Sequence, residues 1–344
     1  MNIIDIKTKA ILSSMGNETV EVSMVFDDGQ STVSVPAGIS AGNYEIKNLP
    51  VPQAINQIND IKPKLLNLDL NQEVLDSILI NAGLAGNASL PLSAAFWKHH
   101  LKSRVYSKFP GLFLLLFEGG KHGNGDITMQ EFTIIETSIK QAQTDFKLMK
   151  NHLERLNIES LVGAEGGFSP TNFDNNLVLE NIKQVFPDSK LALDVASTFA
   201  HDHLNWTELL DTYNICSVED PYPEEDWERW SDFYTKFGNR IMVIGDDLTV
   251  TNSDRLKKAL NPKVINAIII KPNQNGTISG ALKVIEDAKI NNLKIVVSHR
   301  GEETDDDWIV DFALEVQADF VKFGGMDRGE RIAKYNRLRD LGMD

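Results

Sequence analysis

The chain has 344 residues, 42% of them apolar and 24% charged, and a net charge of −15. That surplus of acid excludes nonspecific binding to nucleic acid or anionic membranes, which needs basic surface, yet leaves room for a small anionic substrate at a site whose local field opposes the net charge. No apolar run approaches the roughly 18 residues of a membrane span, the first ten residues lack a secretory pattern, and a single cysteine, Cys216, allows no internal disulfide, so a reducing cytoplasm is the expected compartment.

Residues 1–107 predict a small α+β domain. Alternation over residues 18–35 predicts a hairpin with Asp28 and Gly29 near its turn. The loop over residues 36–45, PAGISAGNYE, is rich in Gly and Ala and suited to close approach to a ligand. Residues 51–104 predict two or three helices, the most regular placing Leu90, Ala94, Trp97 and Leu101 on one face. GLAGNAS is no dinucleotide fingerprint, because it does not follow a strand in a βαβ unit.

A second domain is expected over residues 108–344. GLFLLLFEGG and MQEFTII predict adjacent strands joined by KHGNGDIT, and helices follow near 138–156 and 173–186 around the Gly-rich VGAEGGFSP. One pattern then occurs six times: a short apolar run ending in a polar or charged residue. The runs end at Asp194, Glu219–Asp220, Asp246–Asp247, Lys271, His299–Arg300 and Lys322, spaced by 25, 27, 25, 28 and 23 residues. A strand with its returning helix needs about that much chain. Apolar runs without alternation suit strands buried on both faces, and a reactive group at each of several strand ends is how a β/α barrel builds a site. Two strands, two helices and six strand–helix units make eight strands, enough to close a barrel.

The strand ends carry the chemistry. Asp194, Glu219 and Asp246 on consecutive strands suit a hard divalent cation such as Mg²⁺. One such acid alone is as well explained by a helix cap or ion pair, but three in register with lysines after them are not. Asp220 and Asp247 are the adjacent alternatives, of which strand alternation lets one per pair face the mouth. Lys271 and Lys322 end buried strands, where an ammonium is costly unless paired or functional, and near a metal and a second ammonium such a lysine can become a general base. Arg300, beside His299, offers a planar fork to phosphate or carboxylate. Glu131 and Glu165 could divide acid and base roles. His122 is a loop histidine with a weak signal of its own.

Taken in order, these segments resemble the enolase family, the phosphopyruvate hydratases. The resemblance rests on GNETVEV, PAGISAG, AGNASLPLSAA, GGKHGNGDITMQEF, VGAEGGFSP, LALDVAS, CSVEDPYPEEDW, IGDDLTVTN, IIIKPNQNGT, VVSHRGEETDD and FVKFGGMDRGERIAKYN, which together cover nearly the whole chain. It implies an α/β fold with an enolase-type ββαα(βα)6 barrel, a hydro-lyase reaction interconverting 2-phosphoglycerate and phosphoenolpyruvate, and two Mg²⁺ per site with substrate bound. It implies Asp194, Glu219 and Asp246 as ligands of the first Mg²⁺. Ser40 would close over the substrate and complete the second metal site. Lys271 would be the base at C2, Glu165 the acid at the C3 hydroxyl and Glu131 its partner. His122, Lys322, His299 and Arg300 would surround the substrate, and a homo-oligomer is the usual assembly. The chain is several dozen residues shorter than usual members. Gly301 stands where the family has a serine that helps to hold phosphate, Ala164 where an acid precedes the catalytic glutamate, Thr198 where a glutamate follows DVA, Met15 for an arginine and Ala37 for a serine. Those changes leave two rival readings: the same α-proton abstraction and elimination on a phosphonate or related acid, and a barrel kept for binding without turnover.

Overall fold

The computed structural model describes residues 2–38, 42–101, 106, 108–123, 126–196 and 204–344. The chain opens with an antiparallel sheet in the order β1 (Ile3–Leu12), β2 (Glu18–Phe26), β3 (Gly29–Ser34). The alternating residues Val20, Val22, Met24 and Phe26 are buried, as a half-covered strand requires, and Phe26 faces Gly29 across the turn. β1 is an addition to the expected hairpin. Only Ile3 and Ile6 of its ten residues are buried, so an edge strand left little alternation to read.

Three helices follow, α1 (Val51–Ile61), α2 (Gln72–Asn81) and α3 (Gly86–His100). The expected single apolar face on the last is too narrow a description. Gly86 and every residue from Ala88 to Trp97 of α3 are buried, because the helix packs against β2 and β3, against α1 and α2, and against the barrel. Leu101 lies just past its end. A helix covered all round has no polar face to display a period.

Eight strands close a barrel: β4 (Gly111–Glu118), β5 (Glu131–Glu136), β6 (Leu191–Asp194), β7 (Ile215–Glu219), β8 (Met242–Gly245), β9 (Ala267–Ile270), β10 (Lys294–Ser298) and β11 (Phe320–Lys322). The helices outside them are α4 (Ile139–Arg155), α5 (Asn175–Val185), α6 (Trp206–Thr212), α7 (Trp227–Phe237), α8 (Ser253–Ala259), α9 (Pro272–Asn275), α10 (Ile278–Ile290), α11 (Trp308–Glu315) and α12 (Gly329–Asp340). This is the expected α/β class and the expected two strands, two helices and six units. The barrel is filled, not open: Phe113, Ala192, Ile244, Ala267, Ile269 and Val296 form a core of their own inside it.

One detail of topology matters for the site. β5 runs antiparallel to both its neighbours, so its first residue lies at the end where the other strands finish. Glu118, Glu131, Asp194 and Glu219 are therefore consecutive register partners on four adjacent strands. The N-terminal sheet and helices dock at this same end. Ile46 N–H donates to Gln274 O at 3.0 Å, Ser89 Oγ to Gly276 O at 2.8 Å, and Ala37 exchanges backbone hydrogen bonds with Glu302. Of the expected site residues, Ser40 lies outside the described residues, as does Thr198.

Candidate active site

The strand-end acids and lysines meet at the barrel mouth. Lys322 Nζ stands 2.8 Å from Asp194 Oδ2, 2.9 Å and 3.0 Å from the two oxygens of Glu219, and 3.2 Å from Glu131 Oε2. Burial works against an ammonium there, but these three carboxylates outweigh it and hold Lys322 well above its ordinary range. Glu219 is pushed well up, by burial first and then by Asp194, with Lys322 opposing. Lys322 is thus the internal counter-ion that these three carboxyl groups share.

Lys271 Nζ pairs with Asp246 Oδ2. Burial alone would lower Lys271, and Arg300 and Lys322 add to that, but Asp246 prevails and raises it. Strained backbone sets this corner. Val250 and Thr251, both β-branched, have φ of 42° and 48°, a conformation costing roughly 1–3 kcal/mol per residue. The turn aims Thr251 Oγ1 so that it accepts the Lys271 N–H at 2.9 Å and donates to Gln274 Oε1 at 2.8 Å. Gln274 Nε2 then reaches Asp246 Oδ1 at 3.3 Å and Glu45 Oε1 at 3.4 Å.

The paired acids separate by function. Asp220 Oδ1 and Oδ2 accept the backbone N–H groups of Asp246 and Asp247 at 3.0 Å and 2.7 Å, so Asp220 braces the next turn while Glu219 contacts Lys322. Asp247 lines the mouth with Asp246, and burial, with Asp246 beside it, raises its carboxyl to about 6.

Glu131, Glu165 and His122 form a second group, with ligand atoms all within 4.8 Å of one another. His122 Nδ1 is 3.1 Å from Glu165 Oε2, at ion-pair distance though out of line for a hydrogen bond, and His299 Nε2 is 3.9 Å from the same oxygen. Burial pushes Glu131 well up despite Lys322, and Glu165 adds to the push. Burial also acts to raise Glu165, but His122 and His299 overcome it and hold this carboxyl well below the usual range. One proton between two such carboxyls resides on Glu131. His299 is neutral, because burial lowers it strongly. Arg331 Nη1 lies 2.8 Å from its Nδ1. A guanidinium only donates, so His299 Nδ1 accepts and the ring proton sits on Nε2, facing Glu165.

Arg300 is engaged from outside the barrel. Its terminal nitrogens hold Glu45 through both oxygens, at 3.0 Å and 3.1 Å, and Nη1 also reaches Asn273 Oδ1 at 3.0 Å. Arg331, fully buried, donates to the carbonyls of Arg300 and Gly301, both at 2.7 Å.

The donor set fits a hard divalent cation. Among the described residues, Glu131, Glu165, Asp194, Asp220, Asp246 and Asp247 line the mouth against Lys271, Lys322 and Arg300, and Glu45 already occupies Arg300. The expected triad of Asp194, Glu219 and Asp246 is occupied by Lys322 and Lys271, and the oxygens gathered within 4.8 Å are those of Asp220, Asp246 and Asp247. Both oxygens of Asp220 accept amide protons, which leaves Asp246 and Asp247 the freer donors of that trio. A mouth so rich in carboxylate cannot hold an anionic substrate without added positive charge.

The barrel sequence and the whole chain each match known proteins. Residues 198–342 match the family model described as Enolase, C-terminal TIM barrel domain. The Enolase of Campylobacter jejuni subsp. jejuni serotype O:23/36 (strain 81-176) is 34% identical over 401 aligned positions, covering 99% of this chain and 97% of the relative. The Enolase of Campylobacter lari (strain RM2100) is 33% identical with the same coverage. The chain belongs to the enolase family. Its 344 residues spread over 401 aligned positions, so it is a shortened and divergent enolase-family member, and the family supports a hydro-lyase type of enzyme that uses a divalent metal.

All described enolase-type positions expected from the sequence do converge: Lys271, Lys322, Glu131, Glu165, Asp194, Asp246, His122, His299 and Arg300 line one mouth, with Glu219 beneath Lys322. Arg331, Gln274 and Glu45 escaped sequence reasoning. Arg331 lies in a helix whose charged composition reads as solvated, and only its complete burial marks it. Glu45 closes the Gly-rich loop, and an acid at the end of a loop suited to the mouth was the available signal.

Proposed function

We propose that this enolase-family chain reversibly dehydrates 2-phospho-D-glycerate to phosphoenolpyruvate with Mg²⁺. The observation that carries the reading is the excess of buried carboxylate around two lysines, at a site that must take an anion. Asp194, Glu219 and Asp246, with Asp247 beside them, would hold the cation. A cation there supplies charge neutralisation for the second negative charge that develops on the substrate carboxylate when the C2 proton leaves.

The chain's own groups divide the work. Lys271 is the base at C2, and it can accept a proton only when Asp246 is engaged elsewhere, since Asp246 is what keeps it charged. Arg300 and Lys322 both favour its neutral form. Lys322 faces the developing charge. Glu131 and Glu165, sharing one proton under His122 and His299, serve departure of the C3 hydroxyl as water: the proton rests on Glu131 and passes to Glu165, which presents it to the leaving hydroxyl. Ser40 is assigned to the closing loop and the second cation by family membership. The same reading includes a small-molecule phosphorylated acid as partner, a homo-oligomer and a cytoplasmic location. Among the described residues no helix is long and apolar enough to cross a membrane.

The test is the ultraviolet absorbance of phosphoenolpyruvate on mixing the protein with 2-phosphoglycerate and Mg²⁺, with and without EDTA. A Mg²⁺-dependent rise supports the reading, and no rise while Mg²⁺ binding is confirmed separately overturns it. One observation favours a second reading in that event. Arg300 has its fork filled by Glu45 and Gly301 offers no hydroxyl, so the phosphate-facing segment is poorer in donors than the family pattern. The same elimination on a phosphonate or related acid fits that poverty.

A further inference from the structure

Glu118 ends β4 in register with Glu131, yet it does not line the mouth. It is fully buried, and its carboxyl turns to the segment that carries Glu165. Oε2 accepts the Glu165 amide N–H at 2.9 Å, while Oε1 has no hydrogen-bond partner. A polar side chain is costly to bury unless it is hydrogen-bonded, and the one hydrogen bond of this carboxyl goes to the Glu165 amide.

The surroundings show how closely the segment is fitted to this side chain. Gly163 has no room for a Cβ, which would lie 2.1 Å from Glu118 Oε1 and 2.6 Å from the His122 carbonyl oxygen. The neighbouring ties fall on other atoms: Ala164 N–H donates to His122 O at 3.1 Å, Gly325 N–H to Glu165 O at 2.9 Å, Arg328 Nε to Gly163 O at 3.0 Å and Arg331 Nη2 to Ala164 O at 3.4 Å. Glu118 holds the amide of Glu165 itself. It therefore sets where that side chain starts, and through it the approach to His122 and His299.

We propose that Glu118 is a positioning residue for the elimination step: its carboxyl fixes the backbone of Glu165, and it takes no part in removing the C2 proton. The inference rests on the reading above that Glu165 serves loss of the C3 hydroxyl. It separates two halves of the reaction. Proton removal belongs to Lys271, just past the end of β9, whereas loss of hydroxyl depends on Glu165.

The experiment compares exchange of the C2 proton of 2-phosphoglycerate with solvent deuterium, followed by NMR, against formation of phosphoenolpyruvate. Glu118→Met fills the buried space without an acceptor, and Glu118→Gln keeps one. Misplacing a reacting group by about 1 Å costs on the order of 100-fold, so in E118M the ratio of exchange to elimination should rise about 100-fold, and E118Q should stay near the wild type. Should E118M fail to fold, Gly163→Ala, which forces the Glu118 carboxyl aside, carries the same expectation. Equal loss of exchange and elimination in a folded variant, or an unchanged ratio, overturns the inference alone. A wild-type chain that neither exchanges nor dehydrates 2-phosphoglycerate overturns the underlying reading and the inference together.

Discussion

Single residues at this mouth take their properties from partners that strand position alone does not specify. Strand alternation allowed Glu219 or Asp220 to face the mouth. In the structure Asp220, with φ of 42°, lines the mouth but spends both oxygens on backbone amides, while Glu219 lies against Lys322. Lys271 is the position where a single change should be most informative. Lys271→Ala should lower C2 proton exchange by roughly 10²–10⁴-fold, the usual worth of a general base, while calorimetric Mg²⁺ binding persists, since alanine removes a competitor for Asp246 and adds none. Unimpaired exchange in that variant removes Lys271 as the base. The division between Glu131 and Glu165 was open in the sequence for a plain reason. Which of two carboxyls keeps a proton depends on His122, His299 and Lys322, brought in by three other segments of the chain.

Elements act here through the ends they present to one another. The loop ending at Glu45 is tied to the barrel by the two-pronged Arg300 pair, with side chains 8% and 5% exposed. Glu45→Gln leaves a buried guanidinium without its main counter-charge. Such losses cost about 3–5 kcal/mol, and the value should fall at the low end because Arg300 also faces Asp246. Chemical denaturation of the two proteins measures it, and equal midpoints would show that the loop is not held by this pair. At the opposite end of β5, Glu136 is raised to about 8, by burial first and then by Asp145 on α4. A carboxyl with a raised folded pKa binds its proton more tightly when folded. Its stabilising share is therefore present below the unfolded value near 4.5 and is lost as pH rises to about 8. Glu136→Gln, which cannot ionise, should lose less stability than the wild type between pH 5 and pH 9 in parallel melts. Identical pH slopes would sink the assignment.

At the scale of the whole molecule, part of the chain's acid surplus is gathered where it is most expensive, inside the barrel mouth. Lys271 and Lys322 neutralise part of that charge. Mg²⁺ should therefore raise the melting temperature, by the equivalent of about 2.7 kcal/mol at a hundredfold excess over its dissociation constant, and EDTA should reverse the shift. A melt indifferent to Mg²⁺, Mn²⁺ and Ca²⁺ would argue that the carboxylates hold no ion. The N-terminal sheet and helices lie at this same end, so the mouth is completed by residues far away in sequence, Glu45 and the backbone of Ala37 among them.

The barrel and its chemistry were legible in the chain because both are periodic and local. Continuous apolar runs report strands covered on both faces, and the residue after each run reports what stands at the mouth. The hairpin showed for the same reason, through its alternation. β1 did not, because an edge strand buries too few residues, and α3 showed as a helix with one apolar face but not as one covered on its other faces too, because such a helix has no polar stripe. What tertiary structure alone decided is pairing: Lys322 among Glu131, Asp194 and Glu219, Arg300 on Glu45, Arg331 under His299, and Glu118 beneath Glu165. Those contacts join residues up to 255 positions apart. Their energies come from desolvation and Coulomb interactions, set by distance in space and carrying no signature in spacing along the chain.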